Sequence, residues 1–240
     1  MSKGIILAGG HGTRLRPLTL VTNKHLLPIY DKPMIMFPIE TLKSLGIKDI
    51  LIVSGGDRIG QFTELLGDGS RFDVEITYKV QEKAGGIADA LGLGKNFVGN
   101  NSVTVILGDN IFDNKAIPTF PIEEGKAYMF VKEVKNPERF GVVSYTEEGY
   151  VGDPFIIEKP KVHVGNQAVV GLYIYPSDVF EFIPTMVPSA RGEKEVTDIN
   201  NFYLSQKRGV IKEIKGFWSD AGTFESLIES SNWVRKQQKR

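Results

Sequence analysis

The chain has 240 residues, of which 41% are hydrophobic and 24% charged, and its 29 basic side chains equal its 29 acidic ones. This composition is typical of a globular domain, and the lack of a basic excess argues against a nucleic-acid binder. There is no cysteine, which excludes disulfides, zinc–thiolate sites and a cysteine nucleophile. No apolar run approaches the roughly 20 residues of a membrane span, so we expect a cytoplasmic protein with no membrane partner.

The first half of the chain alternates apolar runs with helical patterns. The predicted strands are Lys3–Leu7, Asp49–Val53, Glu75–Val80 and Val103–Leu107. The predicted helices are Pro33–Leu45, Phe62–Leu66 and Ile87–Phe97, the last of them weakened by Gly92 and Gly94. Such alternation predicts βαβ units and a mainly parallel sheet, whose ligands bind beyond the carboxyl ends of the strands.

After residue 125 the pattern changes to several strands followed by helices. The predicted strands are Tyr128–Val134, Gly141–Tyr145, Phe155–Ile157 and Ala168–Tyr175, with a hairpin turn at Gly149 and a strand pair within Val210–Trp218. The predicted helices are Ser177–Met186, Thr197–Gln206 and Thr223–Lys239. With no internal repeat or linker, residues 1–240 are expected to form one domain, an α/β first half joined to an α+β second half.

A glycine-rich loop follows the first predicted strand, within the segment Leu7–Thr19. Its glycines allow backbone N–H groups to approach phosphates closely, and Arg14 offers a planar, permanently charged donor fork. The loop lacks the lysine of a P-loop and the third glycine of the dinucleotide fingerprint, which argues against an oxidoreductase. It predicts a phosphate site, and the alternative is a tight turn with Arg14 and Arg16 in solvent.

Two aspartates are candidate metal ligands. Asp109 follows a buried strand, and Asp220 lies in a Trp-Ser-Asp-Ala-Gly-Thr turn. Mg²⁺ is typically held by one or two carboxylates together with substrate phosphates. Taken alone, Asp109 is equally a turn residue and Asp220 a helix cap. Their sequence spacing does not establish that the two side chains meet.

Polar residues at other strand ends are candidate contacts for a base and a sugar. Gln81 has both a donor and an acceptor, which suits the edge of a base. Glu158 can bond sugar hydroxyls and Lys159 can hold a phosphate, although the two also fit a surface ion pair of about 0–1 kcal/mol. Lys24, just beyond the glycine loop, is unremarkable as a surface lysine.

Motifs spread along the chain carry a family resemblance. Beside the glycine loop they are Asn23–Pro28, Val80–Gln81, Ala84–Ala88, Leu107–Asn110, Pro137–Val142, Glu158–Pro160, Ser189–Glu193 and Trp218–Thr223. In this order they resemble the sugar-nucleotide pyrophosphorylases over nearly the whole chain. The similarity is greatest to the short form of the branch that transfers thymidylyl groups to glucose 1-phosphate, which lacks an additional C-terminal helical segment.

The resemblance implies a Rossmann-like, mainly parallel sheet flanked by helices, with dTTP and glucose 1-phosphate as substrates and Mg²⁺ on Asp109 and Asp220. The implied product is dTDP-glucose for dTDP-rhamnose and cell-surface polysaccharide synthesis. The implied nucleotide contacts, mainly in residues 1–125, are Leu7, Gly9, Gly10, Gly12, Thr13, Arg14, Gln81, Gly86 and Asp109. The implied sugar-phosphate contacts, mainly in residues 126–240, are Phe140, Gly141, Glu158, Lys159, Val170 and Arg191. Arg14, Lys24 and Lys159 are the implied catalytic cations.

Three departures from the family pattern concern the choice of sugar more than the type of reaction. Phe140 stands where many relatives have Tyr, His25 where many have Gln, and Ile157 where an acidic residue is common. A uridylyl- or cytidylyltransferase, or a non-catalytic sugar-nucleotide sensor, therefore remain alternatives. The oligomeric state is left open, with a homo-oligomer as one option.

Overall fold

The fold is built on a mixed β-sheet, seen in a computed structural model that describes residues 2–147 and 150–238. The strands are, in chain order, β1 (Ser2–Leu7), β2 (Pro28–Ile29), β3 (Lys32–Pro33), β4 (Asp49–Gly55), β5 (Glu75–Gln81), β6 (Ser102–Leu107), β7 (Ile111–Phe112), β8 (Ala127–Glu133), β9 (Gly141–Glu147), β10 (Tyr150–Glu158), β11 (Gln167–Tyr175), β12 (Gly209–Glu213) and β13 (Trp218–Ser219). The α-helices are α1 (Met36–Ser44), α2 (Ile59–Leu66), α3 (Ile87–Gly92), α4 (Lys95–Val98), α5 (Val179–Phe182), α6 (Val196–Ser205) and α7 (Phe224–Gln238). Short 3₁₀ turns include Thr13–Leu15 and Lys24–Leu26.

The parallel part of the sheet has the strand order β5-β4-β1-β6. Successive residues of β1 enter the two hydrophobic cores on opposite faces: Ile5 and Leu7 pack into one core and Ile6 into the other. A strand covered on both faces is apolar at most positions, which explains the near-continuous apolar runs in the sequence. The predicted α/β class and the mainly parallel arrangement of the first half are confirmed.

The second half extends the same sheet with antiparallel strands. β11 pairs with β6, β8 and β9, and β9 pairs in turn with β10. β12 then adds to β8 in the parallel direction. Both halves of the chain therefore share one sheet, and their division into a nucleotide half and a sugar half stays a prediction. Among the described residues, no helix combines the length and the hydropathy needed to cross a bilayer.

Two predicted helices differ from the structure. The helix predicted from Pro33 begins at Met36, because Lys32–Pro33 pairs with Pro28–Ile29 in a small hairpin. The helix predicted over 87–97 is divided into α3 and α4. A Cβ on Gly94 would collide with the Ile5 side chain, so this glycine allows a close approach to β1 and interrupts the helix.

Two more predictions were wrong in the second half. The segment 210–218 is not a strand pair, because β12 pairs with β8 and β13 pairs with β7. The helix predicted over 177–186 narrows to α5 and a 3₁₀ turn, Ile183–Thr185, because Pro184 has no N–H to continue the α-helical ladder. The predicted turn at Gly149 and the predicted helix end at Lys239 lie outside the described residues.

Candidate active site

The glycine loop after β1 wraps around Lys24. Gly12 has a φ of 64°, and a Cβ placed there would lie 2.8 Å from Lys24 Cβ and 2.9 Å from Thr19 Cγ2. A Cβ on Gly10 would lie 3.2 Å from Lys24 Nζ. Only glycine fits this left-handed and crowded position, and its presence brings the lysine ammonium beside the loop.

Lys24 forms an ion pair with Asp109 at the end of β6. Nζ lies 2.5 Å from Asp109 Oδ2, and each side chain is only 14% exposed. Burial raises the pKa of the Asp109 carboxyl, but the charge of Lys24 and the hydrogen bonds from Lys24 and Asn110 lower it more, so the net shift is downward. Asp109 is therefore held as a carboxylate at the carboxyl edge of the parallel strands.

Next to this pair, His25 is buried and uncharged. Burial first, and then the charge of Lys24, lowers the pKa of His25 to about 3. Its Nδ1 lies 2.7 Å from Asn23 Oδ1, and its ring faces Phe62. A neutral imidazole enclosed in this way is a packing neighbour of the glycine loop.

A short antiparallel ribbon brings the second aspartate to the same place. Phe112 of β7 lies opposite Trp218 of β13, and Ile111 lies opposite Ser219. Asp109 precedes the first strand of this ribbon and Asp220 follows the second, so both carboxylates lie at the same end of it. Both residues line one cavity of about 520 Å³.

Asn110 ties the two sides of the ribbon together. Its Nδ2 donates to Asp109 Oδ1 at 2.9 Å, and its Oδ1 accepts from Trp218 Nε1 at 2.7 Å and from the Gly171 amide at 3.0 Å. The residue is 2% exposed, so the Asn110 side of each bond is shielded from water. Asn110 thus fixes Asp109 relative to the residues that lead into Asp220.

Asp220 has its own basic neighbours. Its Oδ2 accepts from Arg139 at 3.2 Å, and a Cβ on the nearby Gly222 would lie 2.8 Å from the Arg14 guanidinium. Ala221 has a φ of 34°, a conformation that alanine adopts only when its surroundings impose it. The turn therefore accepts backbone strain at the point where Asp220 enters the cavity, which Arg14 also lines.

The opposite wall of the cavity is polar and well ordered by hydrogen bonds. Glu158 Oε2 accepts from Thr197 at 2.6 Å, and Oε1 lies 2.5 Å from Lys159 Nζ and 3.4 Å from Arg191. Burial raises the pKa of Glu158, but the Lys159 and Thr197 hydrogen bonds and the charges of Lys159 and Arg191 lower it overall. Lys159 has a φ of 45°, a second strained residue at the cavity.

Seven of the residues predicted for the site line the cavity: Arg14, Asp109, Phe140, Gly141, Glu158, Lys159 and Asp220. Phe140 packs edge-on against Trp218, with the ring centroids 5.3 Å apart, and the two form an aromatic wall. Basic residues, carboxylates and an aromatic wall thus surround one volume large enough for a ligand with several functional groups.

Other predicted residues lie around this cavity. Gly9 and Gly10 line a smaller neighbouring cavity of about 120 Å³, and Gln81 and Gly86 lie beside α3. Arg191 reaches the site through Glu158 and also pairs with Glu195 at 2.9 Å.

Two predicted contacts lie deeper in the protein. Leu7 is buried and its carbonyl accepts from the Gly108 amide. Val170 is fully buried, while its neighbours Val169 and Gly171 line the cavity. The individual roles proposed for all these residues stay predictions.

Several site residues received no role from the sequence. Asn110 and Trp218 stand inside recognised motifs, so adjacency to Asp109 and Asp220 was the available signal. Arg139 likewise lies inside the motif Pro137–Val142, next to the predicted contact Phe140. Thr197 gave no comparable signal, because it lies in the first turn of a helix and outside every recognised motif. Its position depends on how distant segments pack.

The carboxyl edge of this α/β sheet presents paired carboxylates, a glycine loop and several fixed cations. Such an edge defines a protein that binds phosphorylated ligands. Comparison with known families makes this specific. The chain belongs to the nucleotidyl transferase family, whose model matches residues 3–237.

Individual relatives match over almost the whole chain. The glucose-1-phosphate thymidylyltransferase of Neisseria meningitidis is 44% identical, over 98% of this chain and 83% of that protein. The enzyme of the same name from Mycobacterium tuberculosis is 42% identical, over 99% and 84%.

Solved structures agree with the sequence relatives. A Bacillus anthracis protein assigned as a glucose-1-phosphate thymidylyltransferase and solved with sucrose has a TM-score of 0.87 and 45% identity, over 98% of this chain and 96% of that one. A UDP-glucose pyrophosphorylase in complex with UDP-glucose has a TM-score of 0.82 and 25% identity, over 99% of both chains. The expected fold, a nucleotidyltransferase sheet flanked by helices, is confirmed.

Proposed function

We propose that the protein transfers a thymidylyl group from dTTP to α-D-glucose 1-phosphate and releases dTDP-glucose and pyrophosphate. The observation that carries this proposal is that Asp109 and Asp220, 111 residues apart (220 − 109), face one cavity between the glycine loop and Glu158. Relatives that are 38–44% identical and bear this activity in their names support the choice of substrates.

The chemistry is an in-line displacement at phosphorus. A phosphate oxygen of the sugar phosphate bonds to the α-phosphorus of dTTP, and the bond from that phosphorus to the pyrophosphate oxygen breaks. Because the nucleophile is already an anion, no general base is required, and the protein contributes positioning and charge stabilisation. Lys159 and Arg191 orient the attacking phosphate, and Arg14 and Lys24 stabilise the leaving pyrophosphate.

The donor set at the cavity fits Mg²⁺. Asp109 and Asp220 present carboxylate oxygens, and Mg²⁺ commonly combines one or two protein carboxylates with phosphate oxygens and water. Within the described residues there is no cluster of three His, Asp or Glu that would enclose a metal by itself. Asp109 and Asp220 would hold the ion, which when bound supplies positive charge between two mutually repelling anions.

The opposite wall suits a sugar. The Glu158 carboxylate is oriented by Thr197, and it can accept hydrogen bonds from sugar hydroxyls. Phe140 and Trp218 offer an apolar surface to a face of the sugar ring. Phe140 has no hydroxyl, so the hydrogen bonds of Glu158 gain importance for sugar recognition.

A pyrophosphate-release assay tests the proposal. Wild-type protein with Mg²⁺ should turn over dTTP and glucose 1-phosphate better than UTP, CTP or ATP, and better than other hexose 1-phosphates. Asp109→Asn should lower kcat by roughly 10²–10³-fold, because it weakens the charge balance at the reacting phosphates. Asp113, four residues away, caps a short turn outside the cavity, so the matched change Asp113→Asn should retain kcat.

The outcomes separate the alternatives. Preferred turnover of UTP or CTP identifies another nucleotidyltransferase, and tight binding of dTDP-glucose without turnover identifies a sensor. Near-normal turnover by Asp109→Asn would contradict the role of this carboxylate. Supply of dTDP-rhamnose synthesis stays a prediction.

A further inference from the structure

The side-chain amide of Gln81 is held in one orientation by its neighbours. Its Nε2 lies 3.0 Å from Asp89 Oδ2 and 3.4 Å from the Gly86 carbonyl oxygen. A carboxylate and a carbonyl oxygen only accept hydrogen bonds, so the nitrogen of the amide, and not its oxygen, must lie on this side. The chemistry of two acceptors therefore determines which end of Gln81 points away from them.

The free end of the amide is its oxygen, Oε1, which faces the glycine loop. A Cβ on Gly9 would lie 3.1 Å from this oxygen, so the atom sits directly against the loop. In the part of the chain that the structure describes, no group donates a hydrogen bond to Oε1. Gln81 thus presents a lone acceptor at the carboxyl end of β5, next to the loop proposed to bind the triphosphate.

Asp89 is itself fixed. It lies in the first turn of α3, and its carboxylate covers Gly85, where a Cβ would lie 2.6 Å from the carboxylate carbon. The turn before α3 is joined to a later segment, because the Lys194 amide donates to the Gly85 carbonyl at 2.8 Å and the Ala88 amide donates to the Lys194 carbonyl at 3.2 Å. The acceptor that orients Gln81 is therefore part of a rigid corner.

We infer that Asp89 is a positioning residue that makes Gln81 select pyrimidines with a protonated N3. Thymine and uracil carry N3–H, which can donate to Oε1, whereas cytosine carries a bare N3 acceptor that would face another acceptor. This inference rests on the proposed function, because it requires the base of the nucleotide to lie at Gln81. It does not separate thymine from uracil, since their 5-methyl difference is remote from N3.

A merely structural role for Asp89 makes a different prediction. An acidic residue in the first turn favours a helix through the helix dipole, and its loss would lower stability without changing the choice of base. Base selectivity, measured as the ratio of kcat/KM for dTTP to that for dCTP, distinguishes the two roles. Both triphosphates carry deoxyribose, so the ratio depends on the base alone.

The test compares wild type, Asp89→Asn, Gln81→Ala and the double variant, each with glucose 1-phosphate as acceptor. The amide introduced by Asp89→Asn can donate as well as accept hydrogen bonds, so the Gln81 amide can rotate by about 180° and present its nitrogen to the base. This variant should therefore lower the ratio of kcat/KM for dTTP to that for dCTP about tenfold or more. In the Gln81→Ala background the Asp89 change should have no further effect on the ratio. Glu225→Gln removes a matched acid from the first turn of α7 and should leave the ratio unchanged.

A wild-type measurement covers the case in which Asp89→Asn does not fold. The triphosphate of N3-methylthymidine cannot donate from N3, and its kcat/KM should be at least about tenfold below that of dTTP. Equal use of the two triphosphates, or an unchanged dTTP:dCTP ratio in folded Asp89→Asn, would overturn the inference and leave the proposed function standing. A wild-type protein that turns over no triphosphate would instead refute the proposed function, and with it the inference.

Discussion

Replacing Asn110 by alanine removes the side chain that ties Asp109 to Trp218, in the strand that leads into Asp220. Three hydrogen bonds are lost, and the partly buried Trp218 Nε1–H and the buried Gly171 amide are left without their acceptor. At about 1 kcal/mol for each bond, and more for a stranded donor, we expect the free energy of unfolding to fall by about 3 kcal/mol. For a chain of this size, that corresponds to a drop in Tm of roughly 6–12 °C.

The same substitution should lower catalysis even where the protein is folded. Asp109 loses the partner of its Oδ1, and the ribbon that presents Asp220 loses the bond from Trp218. Urea unfolding followed by circular dichroism gives the stability, and pyrophosphate release well below Tm gives kcat. We expect kcat to fall by about tenfold or more, because small displacements of groups at the reacting atoms are costly.

Asn201→Ala is the matched control. Asn201 bonds the backbone of Ile156 through its Oδ1 and its Nδ2, both at 2.8 Å, and neither of these two residues lines the cavity. It should lose about 2 kcal/mol of stability and keep kcat. If Asn110→Ala keeps both its Tm and its kcat, or if Asn201→Ala loses kcat to the same extent, the reasoning about the ribbon is refuted.

Three further outcomes follow from the site. The pKa of His25 is about 3 in the folded protein and 6.5 as a free group. The unfolded chain therefore binds a proton that the folded protein does not, so stability is complete above pH 6.5 and falls as the pH drops toward 3. His25→Gln should reduce the slope of the unfolding free energy against pH by up to about 1.4 kcal/mol per pH unit between about pH 4 and 6. Gly12→Ala should lose about 1–2 kcal/mol of stability from its positive φ and should also raise KM for dTTP, because the new methyl meets Lys24. Thr197→Val should raise KM for glucose 1-phosphate about tenfold with little change in KM for dTTP, because Glu158 loses a partly buried hydrogen bond that orients it.

Each of these outcomes has a measurement that can contradict it. Urea titrations at several pH values should give a flatter profile for His25→Gln, and an unchanged slope would contradict the neutral burial. Gly46→Ala carries a similar positive φ, 78°, in open space, so it should lose stability without changing KM. Steady-state kinetics with each substrate varied in turn would show whether Thr197→Val affects both KM values equally, which would contradict a role confined to the sugar side.

The elements of the fold were largely predictable, because burial leaves a direct pattern in the sequence. β1 and β6 read as mainly apolar runs, interrupted in β6 by the buried Thr104, since both of their faces are covered. Errors arose where a contact between distant segments decided the local structure. Gly94 interrupts a predicted helix because it packs closely against Ile5. Lys32–Pro33 belongs to a hairpin, although the apolar residues that follow have helical spacing and predicted a helix from Pro33.

The site was predictable to the extent that motifs carry it. Asp109 and Asp220 were singled out as residue types at suitable turns, but their convergence depends on β7 and β13, two strands of two residues each, which have too few residues for a recognisable period. Asp89 gave no signal either, because a first-turn acid is ordinary in a helix. Its contact with Gln81 appears only once α3 packs beside β5.

The ribbon of β7 and β13 also bears on how the molecule becomes competent. Its first strand ends at Phe112 and its second begins at Trp218, so the segment between them must be made before the two can pair. A growing polypeptide therefore lacks the pair of carboxylates, Asp109 and Asp220, until the ribosome has passed residue 220. Enzymatic activity should accordingly return during refolding only when this late pairing is complete, and release from the ribosome before that point should yield inert fragments instead of partly active ones.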